Sequence, residues 1–149
     1  MSRRRAVVEA DDFFGGPGSM SRKQVQEAIR RGQSLRDADM RGVDLSDLSF
    51  DNMDLTLAKF AEANLSSCSF RNANLTGASL WSANLKDAVF DGAQLDNADL
   101  DQANLDGVTV KGARIKKALF PFSKLTIDTI QEAVKSGARL RMEPLEIID

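Results

Sequence analysis

The sequence predicts an all-β solenoid with four-sided coils, and three regularities carry this prediction. A large apolar residue returns at every fifth position from Leu35 to Phe120, eighteen times without a gap. A small residue, usually alanine, precedes it by two positions, and residues twenty apart tend to be alike. A period of five fits neither a helical turn nor the alternation of a strand. We therefore expect each unit of five to form one extended side and one turn, so that four units close one coil.

The coil length of twenty residues is visible as four columns of large apolar residues. Phe50, Phe70 and Phe90 make one column, which ends in Val110. The other three columns are Leu45, Leu65, Leu85 and Leu105; then Leu35, Leu55, Leu75, Leu95 and Ile115; then Met40, Phe60, Leu80, Leu100 and Phe120. A random choice among large apolar residues would not repeat phenylalanine at intervals of twenty. We expect these side chains to stack inside the solenoid.

The remaining positions of the repeat fit the same coil. A second inward side chain must be small to share a narrow interior, which explains the alanines. Asn and Asp just before the large residue can bind turn backbone and one another along the solenoid. One such column is Asp44, Asn64, Asn84 and Asn104. Glycine suits the turn position two residues after the large one, and is found at Gly42, Gly77, Gly92, Gly107 and Gly112.

These units resemble the pentapeptide-repeat family, whose repeat is Ala, then Asp or Asn, then Leu, then two variable residues. The units that match it outright are Ala63-Asn64-Leu65, Ala73-Asn74-Leu75, Ala83-Asn84-Leu85, Ala98-Asp99-Leu100 and Ala103-Asn104-Leu105. The resemblance covers residues 33–122 and implies a right-handed quadrilateral β-helix of about 4.5 coils of four pentapeptides, a rod about 22 Å long.

Residues 1–20 show neither helical nor strand periodicity and are predicted to form a flexible tail. Phe13 and Phe14 lie in this tail beside two aspartates. The tail is either an unstructured end or a short docking segment for a partner.

A short α-helix is predicted over residues 21–32 and again near the other end of the chain. Ser21 and Gln24 fit a capping box at the start of the first helix. The segment 25–32 recurs almost unchanged as 130–137. Each helix is expected to cover one end of the rod, which would otherwise expose unpaired backbone and an open core.

The C-terminal region, 123–149, continues past its predicted capping helix. The repeat restarts at Leu140, and Leu145, Ile147 and Ile148 follow. This apolar end either folds back as an edge strand or exposes a surface for a partner. The partner could be a second copy of the chain, which would make a homodimer.

Composition excludes several functional classes. Twenty basic and twenty-two acidic residues give a formal net charge of −2, so we expect no direct binding to nucleic acid. No apolar run approaches the roughly 20 residues that span a membrane. Cys68, the one cysteine, falls at a small inward position and is expected to be inert. The absence of a disulfide framework favours a reducing, cytoplasmic location.

No catalytic or metal-binding constellation is found in the sequence. The chain has no histidine, so neither a Ser-His nor a Cys-His pair can form, and we expect no enzyme activity and no cofactor. The best run of carboxylates is Asp91, Asp96, Asp101 and Asp106. Their spacing of five points them to four successive sides of the coil, where they cannot share one metal ion.

Function is therefore expected on the outer surface. Residues 87–110 hold six aspartates, including the four just named, and no basic residue; this acidic belt adjoins a basic one of Lys111, Arg114, Lys116 and Lys117. The belts either bind a partner or balance one another from coil to coil. Trp81 takes an outward position, where it is either an interface anchor or a surface aromatic partly covered by the N-terminal tail.

We expect a non-enzymatic module, a rigid capped rod that binds a protein partner. The resemblance supplies an alternative, since some pentapeptide-repeat proteins mimic duplex DNA and bind type II topoisomerases such as gyrase, conferring fluoroquinolone resistance. A rod of about 22 Å would need about thirteen negative charges to match duplex DNA. The repeat region has thirteen acidic but also nine basic residues. DNA mimicry is therefore the weaker interpretation.

Overall fold

A computed structural model gives the structure and describes residues 18–121, 131 and 135, together with the backbone of 139–141. Its elements are helix α1, Arg22–Arg30, strand β1, Leu119–Pro121, and strand β2, Arg139–Arg141. Between α1 and β1 the chain runs as pentapeptides, each joined by a parallel bridge to the residue twenty positions on. Thirteen such bridges, from Asp39↔Lys59 to Asp99↔Leu119, follow at intervals of five residues, so the register is unbroken.

Backbone hydrogen bonds join successive coils as a parallel ladder. The N–H of Phe70 donates to the carbonyl of Val89 at 2.7 Å, and the N–H of Val89 donates back to the carbonyl of Cys68 at 3.0 Å. The same pair of bonds recurs along the solenoid. One coil is therefore twenty residues long, as the sequence columns predict.

The large residue of every repeat lies in the interior, which confirms the prediction. None of the eighteen is more than 6% exposed. The rings of Phe50 and Phe70 stack with centroids 5.1 Å apart, and those of Phe70 and Phe90 with centroids 4.8 Å apart. These separations match the spacing of neighbouring strands, so each coil places its ring directly on the previous one. Phe60 packs edge-on against two rings of this column.

Every corner between Asp37 and Lys117 has the same unusual backbone. Two positions after each large residue, φ lies between 56° and 74° at seventeen successive corners. Glycine fills five of them, as expected, and the other twelve carry side chains, including Leu57. Because a side chain is disfavoured at positive φ, the packing of the coil must hold these turns in place.

Helix α1 has the capping that the sequence predicts. Ser21 Oγ accepts a hydrogen bond from the N–H of Gln24 at 3.2 Å, and Gln24 Oε1 accepts one from the N–H of Ser21 at 2.8 Å. Val25 and Ala28 are buried in the same cluster as the first-coil residues. Gly32, just beyond the helix, has φ 66°. The apolar face of α1 therefore packs on the start of the solenoid core.

The two ends of the described chain lengthen one side of the coil. The N–H of Met20 donates to the carbonyl of Asp39 at 2.7 Å. Residues 18–20, which the sequence placed in the tail, therefore pair with the first coil. At the other end β2 pairs in parallel with β1 and sets Leu140 opposite Phe120. The repeat thus restarts at Leu140, and the backbone of 139–141 folds back as a strand.

Several predictions fall outside the described residues. Gln131 and Lys135 are helical, but most of the second predicted helix is not described. The candidates Phe13 and Phe14 lie in residues 1–17, and Leu145, Ile147 and Ile148 lie in residues 142–149.

Candidate protein-interaction surface

One side of the coil forms the longest continuous sheet in the described chain, and we call it the tryptophan side. Its inward residues are Met40, Phe60, Leu80, Leu100 and Phe120. The row of Met20 precedes these five rows and β2 follows them. Seven rows at a strand spacing of about 4.8 Å extend over about 29 Å. This length suits a flat interface with another protein.

Trp81 lies in the middle row of the tryptophan side. Trp81 is 41% exposed. The residue one coil before it is Ala61, whose side chain is too small to cover the indole. Trp81 is therefore the central apolar feature of this side, in the position expected of an interface anchor.

Leu57 adds a second exposed apolar group, at the corner that immediately precedes the tryptophan side in the chain. It is 46% exposed and has φ 61°. Its Cδ2 atom lies 2.8 Å from the point where a Cβ on Gly77 would be. Leu57 therefore leans over Gly77 toward the row that holds Trp81. Leu57 and Trp81 are the two large hydrophobic residues that are exposed within the described part of the chain.

Asp101 corrects the prediction of an open acidic belt. It is only 7% exposed, whereas the sequence placed it outward among accessible carboxylates. Its neighbours one coil before and one coil after are Trp81 and Pro121, both bulky, and they restrict the access of water from either direction. Asp101 belongs to the packing of the tryptophan side and is not available as a surface carboxylate.

Two further aspartates of the belt, Asp91 and Asp96, join one coil to the next. Asp91 Oδ1 accepts the N–H of Lys111 at 3.0 Å, and Asp96 Oδ1 accepts the N–H of Lys116 at 3.1 Å. Asp96 also pairs with the guanidinium of Arg114 at 2.8 Å. These contacts favour the interpretation that the charges of one coil balance those of the next.

Asp87 and Asp106 are the exposed aspartates of the acidic belt. The N–H of Asp106 donates to Asn104 Oδ1 at 3.0 Å. The four belt aspartates lie on four successive sides, as their spacing predicts. Within residues 18–121, no three carboxylate or cysteine side chains gather in a group that could hold a metal ion.

Asp39 and Arg41 anchor the start of the tryptophan side, a role that sequence reasoning missed. The guanidinium of Arg41 donates to both carboxylate oxygens, at 2.8 and 2.7 Å, and this lowers the pKa of Asp39 to about 2. Ser19 Oγ donates to Asp39 Oδ1 at 3.3 Å and to the Arg41 carbonyl at 3.0 Å. The sequence does indicate an extra row at this end, because Met20 precedes Met40 by twenty residues, the length of one coil.

The predicted polar ladder is present on a neighbouring side, which we call the asparagine side. Asn64 Nδ2 donates to Asp44 Oδ1 at 3.1 Å, and Asn84 Nδ2 donates to Asn64 Oδ1 at 3.2 Å. Asn104 Nδ2 continues the ladder to Asn84 Oδ1 at 3.5 Å. These amides satisfy one another, so this side offers fewer groups to a partner than its composition suggests.

Cys68 is inert packing, as the sequence predicts. It is 1% exposed, and its Sγ donates to the carbonyl of Leu45 at 3.0 Å. Burial raises the pKa of the thiol to about 12. The nucleophilic thiolate is therefore scarce at neutral pH.

The described helices include none long and apolar enough to cross a membrane. The fold and the exposed tryptophan side thus define a class, a β-helical repeat protein with an accessible sheet face. The sequence model of the pentapeptide repeat region matches residues 31–120, and the chain belongs to this family of right-handed quadrilateral β-helices. A comparison with curated proteins found no match.

Several solved structures are similar to this chain. The protein alr5209, a pentapeptide repeat protein from Nostoc Pcc 7120, is 27% identical over 84% of this chain and 98% of its own, with a TM-score of 0.57. AT2G44920, from the thylakoid lumen of Arabidopsis thaliana, is 30% identical over 66% of this chain and 80% of its own, with a TM-score of 0.47. QnrB1, a plasmid-mediated fluoroquinolone resistance protein, is 14% identical over 78% of this chain and 84% of its own, with a TM-score of 0.33.

Proposed function

We propose that this chain is a non-enzymatic interaction module that binds a protein partner through the tryptophan side. The observation that carries the proposal is Trp81, exposed at the centre of the longest sheet face. Interface energy concentrates in a few buried aromatic or arginine side chains near the middle of a contact. An indole that is already presented on rigid backbone loses little conformational freedom on binding, which favours affinity.

The groups around Trp81 supply the polar rim that such an anchor needs. Lys59 and Ser79 precede the inward residues of two adjacent rows, and Asp99 follows in the next row. Exposed polar groups at the edge of a contact exclude water from the anchor and restrict the partner's orientation. The partner is thus expected to offer an apolar pocket for the indole with polar groups around it.

Comparative capture from a native cell extract tests the proposal. Trp81→Ala is a mild change for the fold, since Ala61 already holds the same place one coil earlier. Arg71→Ala is the matched control, because Arg71 is exposed on the opposite side of the coil. We expect a protein that wild type and Arg71→Ala retain and that Trp81→Ala loses by about tenfold or more. Equal retention by all three proteins would contradict the proposal.

Topoisomerase binding by DNA mimicry is the alternative. The asparagine side is the surface that supports it best, because of its acidic residues. Asp44, Asp47, Asp87 and Asp106 lie there with one basic residue, Lys86. The guanidinium of Arg22 offsets part of this charge, lying 3.9 Å from Asp44. A gyrase supercoiling assay with and without a fluoroquinolone tests this alternative. A result that shows neither inhibition of gyrase nor protection against the drug would eliminate it.

A further inference from the structure

We propose that residues 1–17 bind back onto the tryptophan side of the same chain, with a phenylalanine ring of this segment seated over Ala61, between Arg41 and Trp81. These seventeen residues lie outside the described part of the chain. The place where the described chain begins, the reach of the segment and the shape of the surface all support this assignment.

The described chain begins on the tryptophan side itself. Met20 pairs with Asp39 in the first row, and Ser19 donates to Asp39 and to the carbonyl of Arg41. Gly18 has φ 87°, and a Cβ on it would lie 3.7 Å from Asp39 Oδ2. Gly18 thus lies at the edge of this side, so the segment that precedes it is attached next to the proposed site.

The reach of the segment matches the distance to the site. Ala61 lies two rows beyond the row that contains Gly18 and three residues further along the strand, which together make about 14 Å. Phe14 and Phe13 precede Gly18 by four and five residues. An extended chain of that length spans roughly 13 to 18 Å. The ring of Phe13 can therefore reach Ala61, and that of Phe14 can do so from a nearly extended tether.

The surface around Ala61 has the width of one aromatic ring. Arg41, Ala61 and Trp81 follow one another in a single column of the sheet, so the strands that carry the two large side chains lie about 10 Å apart, with a methyl group between them. A flat ring with van der Waals contacts of about 3.5 to 4 Å on each face needs about 7 to 8 Å. Guanidinium and indole groups both pack favourably against an aromatic ring.

The segment and the surface also complement each other chemically. Leu57 and Trp81 are exposed apolar groups on the side, and the two phenylalanines supply apolar groups in the segment. Lys59 is exposed in the same row as Ala61, and Asp11 and Asp12 directly precede the phenylalanines. A ring over Ala61 would bring these carboxylates near the Lys59 ammonium.

Docking of this segment has a regulatory consequence that rests on the proposed function. The segment would cover the surface that the partner needs, so the partner would have to displace it. Removing the two aromatic rings should then increase partner binding, whereas removing Trp81 should abolish it.

Fluorescence of Trp81 tests the docking directly, because the chain has one tryptophan. The full chain is compared with the double variant Phe13→Ala/Phe14→Ala and with the control Val7→Ala/Val8→Ala, which removes apolar groups elsewhere in the same segment. We expect the phenylalanine variant to shift Trp81 emission to longer wavelength and to raise the acrylamide quenching constant roughly twofold, since it loses an aromatic cover. The valine variant should match the wild type.

Two results would overturn the inference. One is identical emission and quenching in all three proteins, which would mean that no phenylalanine covers Trp81. The other is a difference that grows with protein concentration, which would mean that a second copy supplies the rings. A difference that is independent of concentration supports docking within one chain.

The fluorescence experiment needs no partner, so its outcome is separate from that of the proposed function. If Trp81→Ala abolishes partner capture but the phenylalanine variant leaves Trp81 emission unchanged, the inference fails and the proposed function stands. If the phenylalanine variant changes the emission but no partner depends on Trp81, the proposed function fails and the docking stands.

Discussion

At the scale of single residues, Phe70 tests the interior most sharply. It is fully buried, and its ring stacks on Phe50 and Phe90 with interplanar angles of 6° and 3°. Phe70→Ala would leave a cavity between two rings that the coil spacing holds apart. We expect a loss of about 3 to 5 kcal/mol in the free energy of unfolding, measured by urea denaturation.

Phe70→Leu is the matched control for this prediction. Leucine fills the inward position in most other repeats, so we expect this change to lower the free energy of unfolding by less than about 1.5 kcal/mol. A loss below about 1 kcal/mol for Phe70→Ala would contradict the continuous stacking of the interior.

The Asp39 carboxylate gives the start of the tryptophan side a dependence on pH. Hydrogen bonds from Arg41 lower its pKa from 3.8 to about 2, so the folded state favours the ionised form. The stabilisation is complete above the unfolded-state pKa and is lost as pH falls through about 2. At pH 6 we expect the unfolding midpoint of the wild type to lie above that of Asp39→Asn. Near pH 2 this difference should vanish. A constant difference across this range would contradict the claim that the ionised Asp39 carboxylate stabilises the fold.

At the scale of elements, the corner is the unit that limits which sequences can form the coil. Gly107 and Gly112 both have positive φ, but they differ in free space. A Cβ on Gly107 would lie 2.1 Å from Asp87 Oδ1 and 3.4 Å from its Cα, whereas one on Gly112 would meet nothing within 4 Å. Alanine substitutions at the two glycines therefore separate the cost of positive φ from the cost of a steric clash.

We expect Gly112→Ala to lower the free energy of unfolding by about 1 to 2 kcal/mol, from positive φ alone. Gly107→Ala should lower it by about 0.5 to 1.5 kcal/mol more, because the Asp87 carboxylate must leave its present rotamer to clear the new methyl group. Thermal or urea unfolding of the two variants measures the difference. Equal losses would mean that the coil relaxes freely around the new methyl group.

The sequence predicted the regular elements well because each of them is encoded locally. The fivefold period identifies every inward residue, and Ser21 with Gln24 marks the start of α1. Residues 18–20 were predicted to belong to the tail, because one short strand shows no periodicity of its own. Only the spacing of twenty residues between Met20 and Met40 indicates that they add a row to the sheet. The buried state of Asp101 was missed for a related reason. It depends on neighbours twenty residues away in both directions.

At the scale of the whole molecule, the fold could be predicted, but the arrangement of the proposed interaction surface only in part. Trp81 stands out in the sequence as an outward aromatic residue, yet its central place depends on the added rows of Met20 and β2. The acidic belt looked like a second candidate. In the folded chain Asp91 and Asp96 bind backbone N–H groups of the next coil, so charge count alone overstates what this belt offers a partner.

The affinity of the captured partner for three purified proteins tests the central claim most directly. Titration calorimetry would compare wild type, Trp81→Ala and Arg71→Ala. We expect Trp81→Ala to weaken binding by about 10- to 30-fold or more, as the loss of an interface anchor does, and Arg71→Ala to bind as wild type. Equal dissociation constants for wild type and Trp81→Ala would contradict the claim that the tryptophan side is the interaction surface.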